Sequence, residues 1–118
     1  MAYMLLIMEP RGQRAERSPE QAQAAYDEMV RFGDGLRARG LLTASESLRS
    51  DNAGVRVELR DGKRSLRDGP FAESKEMVGG FFMLTCDSLE QAVEIASECP
   101  AAGWASVEVR EIAPCHAG

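Results

Sequence analysis

Two apolar runs constrain this chain more than any other feature. Tyr3–Met8 is apolar throughout and Gly80–Cys86 nearly so, which marks both as strands buried on both faces and central in a sheet. Two segments carry helix periodicity. Ser18-Pro19-Glu20-Gln21 supplies an N-cap serine, a proline at the first helical position and a glutamine closing a capping box. Ala22, Ala25, Tyr26, Met29, Phe32, Gly33 and Leu36 then recur on one face, and Gly40 stands at the C-cap. Asp87-Ser88-Leu89-Glu90 starts a second helix, with Leu89, Ala92, Val93 and Ala96 on its apolar side, and Pro100 stops it. Two helices cannot cover both faces of a sheet.

The remaining segments complete the order. Glu9–Arg17 is a polar loop, and Leu41–Leu48 is a second strand. Val55, Val57 and Leu59 alternate with charged residues, and Asp61-Gly62 forms a two-residue turn that returns Lys63–Arg67 antiparallel. Val107-Glu108-Val109-Arg110 is the last strand. The sequence strand, helix, strand, hairpin, strand, helix, strand fits a single α+β domain over residues 1–118, a split βαβ antiparallel sheet with two helices on one face. The face left bare calls for a second sheet, and a homodimer is the simplest source of it.

Charge and cysteine content remove several function classes. A net charge of −5 argues against direct nucleic-acid binding. Twelve of the fourteen basic residues are arginines; Arg11, Arg14 and Arg17 in one loop, and Arg56, Arg60, Arg64 and Arg67 around the hairpin, read as solvated faces. The longest apolar run is too short to span a bilayer and lacks the flanks of a signal peptide, so a cytoplasmic location with no membrane contact is expected. Cys86, Cys99 and Cys115 have no disulfide or metal-site spacing, and the first two read as small buried hydrophobes. Cys115-His116 offers two metal ligands on a tail, and His116 is the sole histidine. Neither a metal nor a cofactor is expected.

The densest chemistry lies in Asp68-Gly69-Pro70-Phe71-Ala72-Glu73-Ser74-Lys75-Glu76, followed by Gly79-Gly80-Phe81-Phe82. Asp68, Gly69 and Pro70 are turn formers, with glycine free to take positive φ. Phe71 is expected to anchor the loop. On a short helical turn Glu73 and Glu76 would share a face, a pairing that raises one carboxyl pKa when partly buried. The alternative is that Lys75 and nearby arginines pair with them. Trp104, before the last strand, is expected to cover the barrel end or a dimer contact. Met4, Met8, Met29, Met77 and Met83 read as core fillers.

These segments resemble the DGPF proteins within the wider YCII-related group. The resemblance rests on Tyr3-Met4-Leu5-Leu6, on Asp68–Glu73 with Lys75-Glu76, on Gly79-Gly80-Phe81-Phe82, on Asp87-Ser88-Leu89, on Cys99-Pro100-Ala101-Ala102 and on Val107–Arg110. It implies the ferredoxin-like sheet of the dimeric α+β barrel. The wider group also resembles lactone isomerases and a dehydrochlorinase of ring compounds, whose chemistry uses a histidine on the first helix and an aspartate after the second. Here the segment Pro19–Arg39 has no histidine, and Cys99-Pro100 stands where an aspartate–proline pair is expected. The resemblance implies a bacterial protein and a functional link to an extracytoplasmic-function sigma factor.

Three functions follow as alternatives. The first is a homodimeric small-molecule-binding protein whose ligand meets Tyr26, Asp68, Phe71, Glu73 and Lys75, in a cleft between the first helix, the sheet and the 68–76 loop. The second is an isomerase or lyase on small cyclic compounds, with Asp68 or Glu73 as general base and Lys75 or an arginine at the developing oxyanion. The third is an interaction module in sigma-factor regulation.

Overall fold

The computed structural model describes residues 1–118. Strand β1 (Ala2–Pro10) leads through a 3-10 turn at Arg14–Glu16 into helix α1 (Pro19–Ala38) and strand β2 (Leu42–Ser47). A hairpin of β3 (Val55–Arg60) and β4 (Lys63–Asp68) follows, then β5 (Glu76–Thr85), α2 (Leu89–Glu98), a 3-10 turn at Pro100–Gly103, and β6 (Ser106–Glu111). The four-stranded sheet has the order β2-β5-β1-β6, and every pairing is antiparallel. This is the ferredoxin-like split βαβ arrangement, with the two apolar runs as the central pair.

Alternation along β1 divides its side chains between the faces. Tyr3, Leu5 and Ile7 are buried beneath the helices with Phe82 and Leu84 of β5, while Leu36, Ala92, Ile95 and Ala96 come down from the helices. Met4, Leu6 and Met8, paired with Met83, Phe81 and Val78, lie on the other face, where nothing in the chain covers them. The Ser18 capping box forms as expected. At the other end of α1 the Gly40 and Leu41 amides donate to the Arg37 and Leu36 carbonyls, with Gly40 at φ +72°, a complete Schellman motif.

The structure alters several expectations. β1 continues to Pro10, so Glu9 belongs to the strand and not to the loop. The buried face of α2 is Ala92, Ile95 and Ala96; Leu89 and Val93 are half exposed. The β3–β4 hairpin forms its own two-stranded sheet, joined by Asp61 and Gly62 at positive φ. Its Val55, Val57 and Leu59 face solvent, because no helix or sheet lies against it. Residues 73–76 form no helical turn, since Glu76 already begins β5, so Glu73 and Glu76 do not share a helical face.

Candidate functional site

The first half of α1 lifts away from the sheet. Gly33 and Leu36, near its end, pack closely, whereas Ala22 and Tyr26 on the same apolar stripe remain exposed, with Tyr26 at 55 %. A cavity of about 400 Å³ fills the gap beneath this half of the helix. Its walls are Tyr26, Met29 and Gly33 of α1, Ile7 of β1, Phe82 of β5 and Trp104. Phe82 is fixed edge-on against Phe32 at 5.1 Å, and a Cβ on Gly33 would stand 3.4 Å from its ring.

The polar end of the cavity is built on a β-bulge. Glu9 follows Tyr3, Leu5 and Ile7 to the helix side of β1 and is only 8 % exposed. A buried carboxylate requires a partner, and Arg14 provides one: its Nε and Nη2 donate to Oε2 and Oε1 at 2.8 and 2.7 Å. The register between β1 and β5 shifts after Ile7, leaving Gly79 without a partner on β1. A Cβ at Gly79 would lie 1.8 Å from Glu9 Oε1. Its carbonyl accepts from Leu48 N at 2.9 Å and from Arg14 Nη2 at 3.3 Å. Glycine here is a requirement of space for the carboxylate.

Arg17 completes this end. Gln13 Nε2 donates to the Trp104 carbonyl, which ties the loop after β1 to the turn after α2. The Arg17 guanidinium lies 5.4 Å from the centre of the Trp104 ring. Asp34 and Arg37 pair at the exposed rim at 3.4 Å. Behind the wall, the Cys99 thiol is buried 3.9 Å from the Met29 sulfur, and burial pushes its pKa up, so a thiol and a thioether occupy this part of the interior. No three side chains of the His, Cys, Asp and Glu types converge on one point.

Of the residues singled out in the sequence, Tyr26 lines the cavity and Asp68, Phe71, Glu73 and Lys75 do not. Asp68 ends β4 opposite Val55 and makes no side-chain hydrogen bond. The turn-forming carboxylate is instead Asp51, which accepts from Phe71 N at 3.3 Å and holds Arg11 through contacts of 2.9 and 2.6 Å. Arg11 also donates through Nε to the Ser74 carbonyl and through its backbone to the Lys75 carbonyl. Gly69 is not at positive φ. It is needed because a Cβ there would meet the Asp51 carbonyl at 1.8 Å.

Phe71 anchors the loop as expected, 7 % exposed beneath the Arg56 guanidinium at 3.8 Å. Glu73 accepts from Arg56 at 2.9 Å and from Arg67. Its own backbone N–H, then Arg67, hold its carboxyl below the ordinary value, the opposite of the raised pKa that a paired carboxylate would show. Lys75 forms no ion pair. Arg11, Arg14, Arg56 and Arg67, expected on solvated faces, each grip a carboxylate.

The site's Glu9, Arg14 and Arg17 were missing from the expected set. Two signals in the sequence point to them: Glu9 lies in phase with the buried residues of β1, and two adjacent glycines interrupt the strand beside it.

Comparison with known proteins agrees with the architecture. Over 56 residues the chain is 41% identical to an uncharacterized protein of Rhizobium meliloti (strain 1021), a stretch covering 44% of each, so it spans less than half of that relative's length. The solved structure of 5-chloro-2-hydroxyhydroquinone dehydrochlorinase (TftG) from Burkholderia phenoliruptrix AC1100, in complex with 2,5-dihydroxybenzoquinone, has a similar fold. The TM-score is 0.55, over 96% of this chain and 94% of that one, at 15% identity. The YCII-related domain matches residues 1–116, and the chain belongs to that family.

Proposed function

We propose that the protein is a homodimeric small-molecule-binding protein whose ligand occupies the cavity between α1 and the sheet. The observation that carries this reading is the cavity itself. An apolar helix face stands over open space while a partly buried, bidentate ion pair at one end holds its shape. About 400 Å³ falls within the range of small-ligand sites, which combine apolar walls with a few placed polar groups. Tyr26 belongs to the site; Phe71 and Glu73 support it by fixing the loop that leads to Gly79, whereas the Asp68 and Lys75 side chains make no hydrogen bond or ion pair there. Two buried free cysteines and one exposed free cysteine suit a reducing, cytoplasmic setting. A sigma-factor link rests on the family resemblance alone.

Trp104 is the sole tryptophan and lines the cavity, so its emission reports on occupancy. Titration with small ring compounds is expected to quench or shift it saturably, and Tyr26→Ala to weaken the response. A panel of such compounds leaving the emission unchanged would refute the reading.

An isomerase or lyase is the second reading. It is favoured by a buried carboxylate, Glu9, at the cavity and by a fold neighbour named as a dehydrochlorinase acting on a ring compound. Turnover of a ligand found by titration, lost in Glu9→Gln with binding retained, distinguishes it from the first.

A further inference from the structure

Three arginines leave β1 in one short loop, and the structure uses them differently. Arg11 is bidentate on Asp51, and Arg14 is bidentate on Glu9. Arg17 is half-buried, yet its side chain donates no hydrogen bond and meets no carboxylate. A guanidinium carries five N–H donors in a planar fork, and it is always charged. Holding that group over Trp104 at the cavity positions it while leaving its N–H donors without a protein partner.

The other charges around the cavity are already balanced. Glu9 neutralises Arg14, and Asp34 pairs with Arg37 at the rim. Glu46, also at the cavity edge, is exposed and stands opposite Phe81 on β5, in register with the bare face of the sheet. Arg17 is therefore the one cation lining the cavity without a carboxylate partner, beside walls formed by Tyr26, Met29, Phe82 and Trp104.

We infer that the cavity takes a singly charged oxyanion on a flat apolar body, such as an aromatic carboxylate, with the anion received by Arg17 and the body held against Trp104 and Phe82. This class of ligand rests on the cavity reading given above. The guanidinium fork matches a carboxylate through two parallel N–H···O bonds, and a neutral amide of the same shape forfeits the charge in that contact.

Calorimetric titration of the intact protein with benzoate and with benzamide, its neutral isostere, tests the assignment. Benzoate is expected to bind at least about tenfold more tightly, the ratio for one charge-assisted contact. Arg17→Gln is expected to weaken benzoate to the level of benzamide while leaving benzamide unchanged. Arg31→Gln, on α1 outside the cavity, is expected to keep the preference. Equal affinities in the wild type, a preference that survives Arg17→Gln, or one that falls equally in Arg31→Gln would each overturn the anion class while leaving the cavity as a binding site. Absence of both heat and Trp104 response with either compound would remove the cavity reading together with the class built on it.

Discussion

At Gly79 the backbone has to leave room for a carboxylate, and the cost of ignoring this is predictable. Gly79→Ala drives a Cβ into Glu9 and displaces it from Arg14, so a destabilisation of about 1–3 kcal/mol is expected in urea denaturation. Gly103→Ala, with open space around its Cβ, is expected to stay within about 0.5 kcal/mol. Similar losses in the two variants would contradict the role given to Gly79. A second residue-scale prediction concerns Asp51, whose carboxyl lies below its ordinary value of 3.8 because Arg11 donates to it. A depressed folded-state pKa contributes stability that is present above the unfolded value and lost as pH falls through the folded one. Asp51→Asn is therefore expected to be less stable at neutral pH and to show a shallower decline than wild type below about pH 4. Parallel acid limbs in thermal melts would count against it. Glu73 adds to the same limb, since it too is held low. The pairing of Glu73 with nearby arginines was one of the two readings the sequence offered; that of Asp51 was not legible, because Arg11 meets it across 40 positions and only the folded chain brings those loops together.

Among the elements, those with local signals were legible. The capping box of α1, the Asp61-Gly62 turn and the Pro100 stop form where the residue types demand them. What periodicity does not report is what lies beneath an apolar stripe. Ala22, Tyr26 and Leu36 repeat identically along α1, yet Leu36 is core and the other two stand over the cavity. The same gap explains the hairpin, whose strict alternation marks a strand but not a burying partner. Because little protein supports the first half of α1, its start depends on its cap. Ser18 Oγ accepts from Gln21 N, and the Gln21 side chain accepts from Ser18 N. Ser18→Ala is expected to cost about 1 kcal/mol in thermal or chemical denaturation. It should also loosen ligand binding, because the cap sets where Tyr26 stands. Unchanged stability would mean that packing, and not the cap, holds this end of the helix.

The molecule as a whole is a slab of 47 × 42 × 19 Å, one helix layer upon the four-stranded sheet, with the β3–β4 hairpin as a separate two-stranded sheet. Its radius of gyration, 16.1 Å, exceeds the roughly 13–14 Å of a compact domain of this length. The exposed β3–β4 hairpin, a sheet of its own, extends the chain beyond a compact shape. On the bare face Met4, Leu6, Met8, Val78, Phe81 and Met83 form one apolar field across β1 and β5, and Val78 is 40 % exposed. Leu6 lies at its middle, between Phe81 and Glu108 on the neighbouring strands. A second sheet laid against this field removes its remaining exposed area from water, and each Å² of apolar surface so buried contributes about 25 cal/mol. Sedimentation of the wild type at micromolar concentration is expected to give twice the 12.9 kDa protomer mass. Leu6→Lys would bury an unpaired ammonium at the centre of the interface, which costs more than the contact returns. It leaves the helix side of the sheet, with Tyr3, Leu5 and Ile7, untouched. The variant is therefore expected to sediment as a protomer with its circular dichroism spectrum intact. A wild type that sediments at the protomer mass would remove the dimer, and a Leu6→Lys protein that stays dimeric would move its interface off this face.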